Sequence, residues 1–325
     1  MKRARDIFSF QIEAASHDEP TCLVTLTHVD GSSSRAPGTH MAVSATGGYV
    51  GSMSGGCVEA AIVSEALRIL QSGVTELIRF GAGSRYLDIR LPCGGGIDLL
   101  FTPAPPLSVL LETHNRLVSR RSASLVLGMD GTIVLAPDGT TKWEDSRFCV
   151  RHDPDLSLVI VGHGAETEAL ARLALAYSAD VRVFSPDAQL VERLSASSIE
   201  AIRLRSPTSC AGLAGDTHTA IVFLFHDHDW EPVLLRQALD TDAFFIGAMG
   251  SHRMHAQRCT ALREAGVSEA AITRTVGPLG LIPATRDPET LALSALSQIV
   301  AWQHRGQAVG AGDSEKGEKI DDCDQ

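Results

Sequence analysis

With 325 residues, 44% of them hydrophobic, the chain is long enough for two domains of ordinary size, each with its own core. A net charge of −11 is spread along it, and no basic block exceeds SRRS at 119 to 122, so the electrostatic footprint of a nucleic-acid binder is missing. No stretch follows a signal-peptide pattern or reaches the roughly 20 apolar residues of a membrane span, and a cytoplasmic protein is expected.

In chain order, the first half offers short β-like runs separated by Gly, Ser, Asp and Pro. They are TCLVTLTHV (21 to 29), HMAVSA (40 to 45), GYVGSM (48 to 53), VTELIRF (74 to 80), GIDLLFTP (96 to 103), ASLVLGM (123 to 129) and GTIVLAP (131 to 137). Helical periods at about 57 to 71 and 107 to 120 interrupt them. This predicts a mixed α+β domain over residues 1 to 140. The polar stretch DGTTKWEDSRFCVRHDPD, from 138 to 155, reads as the boundary.

Beyond it, apolar strands of five to eight residues alternate with helical periods: LSLVIVG, AETEALARLALAYS, DVRVFSP, AQLVERLSAS, HTAIVFLFH, EPVLLRQALD, AFFIGAM and HRMHAQRCTALREAG. That rhythm indicates a parallel sheet covered on both faces, a Rossmann-like doubly wound α/β domain over 155 to 305. From about 306 the sequence is rich in Gly, Asp and Lys with few large apolar residues, and a flexible tail is expected.

In IVGHGAETEALA, Gly162, Gly164 and Thr167 fall on the glycine positions of a dinucleotide-binding turn, which would aim helix N–H groups at a phosphate. The match is incomplete. Glu166 puts a negative charge in the turn, and Ser185, with Asp187 two residues later, stands where an acidic residue would bind a ribose hydroxyl. A structural turn is therefore favoured over retained binding of NAD(P) or another nucleotide. His226, Asp227, His228 and Asp229 lie at the carboxyl end of a strand, where at most two alternating side chains converge, so a polar loop is favoured over a metal site. Ser251 can cap a helix whose first turns carry His252, Arg253, His255 and Arg258, a weak sign of an anionic ligand.

Seven cysteines, at 22, 57, 93, 149, 210, 259 and 323, are odd in number and widely spaced, which argues against a disulfide framework. Cys22, Cys149, Cys210 and Cys259 read as buried small hydrophobes, and Cys323 as incidental to the tail. Cys57 and Cys93 differ. In SGGCVE, Ser54 is a candidate N-cap that places Cys57 in the first turn of a helix, where the dipole and free N–H groups lower a thiol pKa, while Gly55 and Gly56 clear the approach. In PCGGG, Cys93 stands before Gly94 and Gly95. Arg35 and Arg85, each on a Ser/Gly loop, complete a set suited to an anionic ligand with soft atoms; His40 is the candidate base nearest in sequence to Cys57.

The stretches GSSSRAPGTHMAVSATGGYVGSMSGGCVEAAI, LPCGGGIDLLF, HDHDWEPVLLRQAL, FFIGAMGSHRMHAQR and GPLGLIPATRDPETLALSALSQIVA together resemble the successive signatures of the XdhC/CoxI family over about residues 20 to 302. The resemblance implies a chaperone that carries the molybdenum cofactor (molybdopterin, in a mono- or dinucleotide form) as cargo. Such a chaperone protects the cofactor while a cysteine desulfurase installs its terminal sulfur, and promotes its insertion into a xanthine dehydrogenase-type molybdenum hydroxylase. It is an accessory factor more than an enzyme, with a homodimer as an option. On this resemblance Cys57 and Cys93 are the first candidates for cofactor contact, with Cys57 near the metal; Ser54, Gly55, Gly56, Gly94, Gly95 and Arg35 on the loops of the first domain, and Gly162 and Gly164 of the dinucleotide-type turn, are the further cofactor-binding candidates. Pro283 replaces a glycine of the family pattern. The competing readings are an NAD(P)-dependent oxidoreductase using the Rossmann-like domain, with His226 or His252 as proton donor, and a non-catalytic adaptor between desulfurase and hydroxylase.

Overall fold

The strand β1 (Thr21–Asp30) is the spine of the first half, because its alternate residues supply two cores. Cys22, Val24 and Leu26 pack toward α2, whereas Leu23 points to the other face. The computed structural model describes residues 3–56, 58–86, 91, 94–225 and 230–310, with side chains as far as 305. The chain divides into two compact units, one up to Pro154 and the other from Asp155.

The first unit begins with α1 (Ala4–Ser16), followed by β1, β2 (His40–Ser44), β3 (Tyr49–Gly51), α2 (Glu59–Ser72), β4 (Glu76–Gly81), β5 (Gly96–Pro103) and α3 (Leu107–Val118). After them come β6 (Ala123–Gly128), β7 (Ile133–Ala136), β8 (Lys142–Glu144) and β9 (Arg147–His152). An antiparallel sheet runs β3-β2-β1-β5-β4, and a second runs β7-β6-β9-β8. Ile62, Ala66 and Ile69 recur at helical spacing and bury α2 on one face of the first sheet, and Gly73, in the left-handed region at φ 69°, ends the helix. On the other face, Phe8 of α1, Leu110 and Leu117 of α3, and Leu125, Phe148 and Val150 of the second sheet join Leu23 and Leu100 in one cluster.

The second unit contains β10 (Ser157–Gly162), α4 (Gly164–Ala176), β11 (Asp180–Ser185), α5 (Ala188–Ala196), β12 (Glu200–Arg203) and β13 (Thr219–Leu224). It continues with α6 (Glu231–Leu239), β14 (Phe245–Ala248), α7 (His252–Glu264), α8 (Glu269–Ile272), β15 (Thr275–Val276) and α9 (Pro288–Gly310). The strands form one parallel sheet, β12-β11-β10-β13-β14-β15. Leu158, Ile160 and Val222 pack with α4, α5 and α9 on one face. Val159, Val161, Ile221 and Phe223 pack with α6 and α7 on the other, which is the doubly wound arrangement read from the continuous apolar strands.

Two expectations are corrected. The boundary stretch 138–155 carries β8 and β9, and β9 buries Phe148, Cys149 and Val150, so the antiparallel portion runs past residue 140. The expected tail begins inside a helix, since α9 continues to Gly310. The basic N-terminal segment forms α1, which buries Ile7, Phe8, Gln11 and Ala14. Cys22, Cys149 and Cys210 are buried, and burial pushes the Cys22 thiol up to about 12, as suits an inert core position; Cys259 is only partly covered.

Candidate functional site

The glycine-rich loops of the first unit meet at one end of its five-stranded sheet. Asp30 at the end of β1 pairs with Gly96 at the start of β5, Gly81 at the end of β4 also pairs with Gly96, and Gly51 at the end of β3 pairs with Met41 next to the start of β2. The 31–39, 52–58 and 82–95 connections therefore leave from the same edge. The guanidinium of Arg35 ties the first loop to the second by donating from Nε to the Ser52 carbonyl at 3.1 Å, and from Nη1 to the Ser34 carbonyl at 2.9 Å. Met53, Val58 and Leu91 are buried in one cluster with α2, so the second and third loops share an anchor.

The helix α2 begins at Glu59, not near Ser54, and Val58 is its N-cap. Ser54 braces the loop instead, since its hydroxyl accepts the Val58 N–H at 3.2 Å and donates to Glu59 Oε2 at 2.9 Å. Glu59 folds back over the loop. Its Oε1 accepts from the backbone N–H of Met53 (3.1 Å), Ser54 (2.9 Å) and Gly55 (3.1 Å) and from the Ser52 hydroxyl (2.7 Å). Its Oε2 accepts from Gly56 N–H at 2.8 Å and Val58 N–H at 3.2 Å. The side chain is buried, with the residue only 6% exposed. Burial alone would raise its pKa, but the Ser54 amide and the Ser52 and Ser54 hydroxyls outweigh it and hold the carboxyl at about 2. The free N–H groups of this loop are thus turned onto an internal anion.

The candidate glycines divide in two. Gly55 (φ +82°), Gly56 (φ +123°) and Gly94 (φ +72°) take backbone conformations that favour glycine, and a β-carbon on any of them would meet nothing within 4 Å. Gly95 is a packing glycine, since a β-carbon there would stand 2.1 Å from the Asp30 carbonyl oxygen. Arg79 on β4 locks the same corner with Asp30 at 2.6 Å, Asp98 at 3.1 Å and the Ala82 carbonyl at 2.7 Å. Cys57 and Cys93 lie outside the described residues, as do His226, Asp227, His228 and Asp229. Arg85 is exposed beside Tyr86 and Glu65. His40 is buried, bonded to Thr25 and His152, and burial holds its pKa well below the ordinary value, so it is a core residue and not a solvent-facing base.

In the second unit the turn after β10 is filled by the chain itself. A β-carbon on Gly162 would stand 2.5 Å from the Leu224 carbonyl oxygen, and the Thr167 hydroxyl donates to the His163 carbonyl at 3.0 Å. Gly164 has φ +83°, and Glu166 Oε2 lies 3.2 Å from its β-carbon position, placing a carboxylate where a diphosphate would come. Ser185 is fully buried, and Asp187 Oδ1 caps α5 by accepting from Gln189 and Leu190 N–H at 2.9 and 3.2 Å. The basic start of α7 is also partly consumed: Ser251 caps it, and Arg258 forms a buried pair with Glu231 at 2.6 Å while donating to the Met249 carbonyl at 2.8 Å. Among the described residues no group of three or more His, Cys, Asp or Glu could hold a metal ion, and no helix is long and apolar enough to cross a membrane.

Sequence reasoning missed Glu59 as the organiser of the loop. The available signal was a carboxylate shortly after two glycines and two serines at a helix start, a pattern in which acidic side chains satisfy free N–H groups.

Comparison with known proteins fits this architecture. Residues 14–81 match the model of the XdhC and CoxI family, and residues 158–299 match that of the XdhC Rossmann domain. The chain is 36% identical, over 91% of its length and 88% of the relative's, to the molybdenum cofactor insertion chaperone PaoD of Escherichia coli K12. It is 23% identical to the uncharacterized protein YqeB of the same organism, over 89% of this chain and 45% of that one. Among solved structures, a protein from Bacillus halodurans described as a xanthine dehydrogenase superposes with a TM-score of 0.74 at 20% identity, covering 92% of this chain and 96% of the other, a likeness of fold. The chain belongs to the XdhC and CoxI family.

Proposed function

We propose that this protein is a molybdenum-cofactor chaperone that holds the cofactor during sulfuration and promotes its insertion into a xanthine dehydrogenase-type hydroxylase. The observation that carries the reading is the likeness to an insertion chaperone over nearly the whole chain. The convergence of open glycine loops at one sheet end supports it, because a bulky planar ligand needs backbone it can approach closely.

Cys57 and Cys93 supply thiols to the soft end of the cofactor, molybdenum and dithiolene sulfur, with Gly55, Gly56 and Gly94 clearing the way. Gly95 supports its loop from behind. Arg35 holds two of the loops together and adds positive charge there. Gly162 and Gly164 serve the packing of the Rossmann-like unit in this reading, which assigns no NAD(P) to that unit. A cysteine desulfurase as sulfur donor and a homodimer as the working form belong to the same proposal, as does a cytoplasmic site of action.

The test is retention of pterin by the full chain after reconstitution with molybdenum cofactor, read as fluorescence of the oxidised pterin. The reading expects retention by wild type and a clear loss in Cys57→Ala and Cys93→Ala. Wild type without pterin refutes the function, and full retention in both variants refutes the site.

A further inference from the structure

The loop before α2 presents an unusual division of its polar groups. The backbone N–H groups of Met53, Ser54, Gly55, Gly56 and Val58 all point inward to one carboxylate, that of Glu59. Successive amides turned toward one point make an anion-binding nest, and here the anion is built into the chain. The outer side of the same loop is bare, since β-carbons on Gly55 and Gly56 would meet nothing within 4 Å. Those glycines hold positive φ, a conformation that has no preference of its own over many others available to glycine, so something must select it.

We infer that Glu59 is the positioning residue of the cofactor loop: its carboxylate fills the amide nest, fixes Gly55 and Gly56 with their bare faces outward, and assigns the loop to the sulfur-bearing end of the ligand, away from its dianionic phosphate. The inference rests on the proposed function for the identity of the ligand. Two physical effects follow from the carboxylate. It satisfies donors that would otherwise be spent on water or on a phosphate, each charge-assisted bond being about twice as strong as a neutral one. It also places a full negative charge behind the loop, which repels a further anion there, the more strongly the more charge that anion carries. A ligand phosphate is therefore turned away from this loop and must be met elsewhere.

The test uses the full chain as wild type, Glu59→Ala and Glu59→Gln, with retention measured per folded protein well below each melting temperature. Glu59→Ala and Glu59→Gln should lose about 10-fold to 100-fold in pterin retention, the range for residues that orient a direct contact. In Glu59→Ala the vacated nest should accept formate, so that added formate raises its melting temperature and restores part of the retention. Wild type and Glu59→Gln, whose side chains still fill the space, should not respond to formate. Glu59→Ala that keeps wild-type retention overturns the assignment, and so does a melting temperature indifferent to formate. If Glu59→Ala does not fold, the Ser52→Ala, Ser54→Ala double variant removes the hydroxyl donors while keeping the carboxylate and amides; a severalfold loss supports the role and unchanged retention overturns it. Wild type that holds no pterin refutes the chaperone reading instead, and the formate response of the melting temperature then decides on Glu59 alone.

Discussion

His40 and His152, 112 positions apart, meet Nε2 to Nε2 at 2.9 Å inside the first unit. Both are buried against the edge of Phe8, and Thr25 Oγ1 lies 2.9 Å from His40 Nδ1. The contact requires one neutral ring to donate and the other to accept, because two protonated rings would set donor against donor. Burial holds the His152 pKa at about 4 and that of His40 well below the ordinary value. With folded pKa values depressed, the unfolded chain binds more protons between about pH 4 and 6.5, so stability is present above that window and falls as pH drops through it. His152 alone should remove up to about 3 kcal/mol by pH 4, at about 1.4 kcal/mol per unit. Urea unfolding at pH 7, 6 and 5 should show the decline, and His152→Leu should flatten it.

Arg258 and Glu231 form an ion pair whose side chains are each 4% exposed. Removing one partner leaves the other as an uncompensated buried charge, so Arg258→Met or Glu231→Gln should each cost about 3 to 5 kcal/mol. Replacing both with apolar residues should cost less than the sum. Equilibrium denaturation of the two single variants and the double variant checks this coupling.

The parts of the fold that local pattern dictates were legible in the sequence. Continuous apolar runs such as SLVIVG and TAIVFL made the parallel sheet readable, and α2 and α3 followed from their period. The strands β8 and β9 were not, because KWE and RFCVRH are short and polar enough to pass for a linker; they become strands by pairing with each other and with β6, a tertiary effect. At the candidate site, the sequence singled out the loop glycines but not what each does in the fold. Gly95 and Gly55 look alike in a string of letters and differ only in whether another segment packs on them. Ser54 has the position of a helix cap in the sequence, but the acceptor that gathers the loop's donors, Glu59, lies inside the helix and takes the Ser54 hydroxyl as well.

That distinction between glycines is itself measurable. Gly95→Ala forces a β-carbon into the Asp30 carbonyl and should destabilise the protein by more than the roughly 1 to 2 kcal/mol expected of left-handed backbone strain alone. Gly55→Ala and Gly94→Ala meet open space and should cost only about that strain, while lowering pterin retention through the added bulk. Thermal melts and retention assays on the three variants should separate into these classes.

The Rossmann-like unit should give no response to NADH or NADPH, because Asp187 is spent on capping α5 and Glu166 stands at the turn. Fluorescence titration to millimolar dinucleotide reads this directly. Asp187→Ala should lose about 1 kcal/mol of stability, as for other N-caps, without changing that titration.

The central claim is that this chain delivers molybdenum cofactor to an apo-hydroxylase. The direct measurement is activation of a cofactor-free xanthine dehydrogenase-type enzyme by the loaded protein, compared with an equal amount of free cofactor. Faster and more complete activation by the loaded protein, lost in Glu59→Ala and in Cys93→Ala, is the predicted result. Activation no better than that by free cofactor, from protein shown to carry its pterin, would contradict the account.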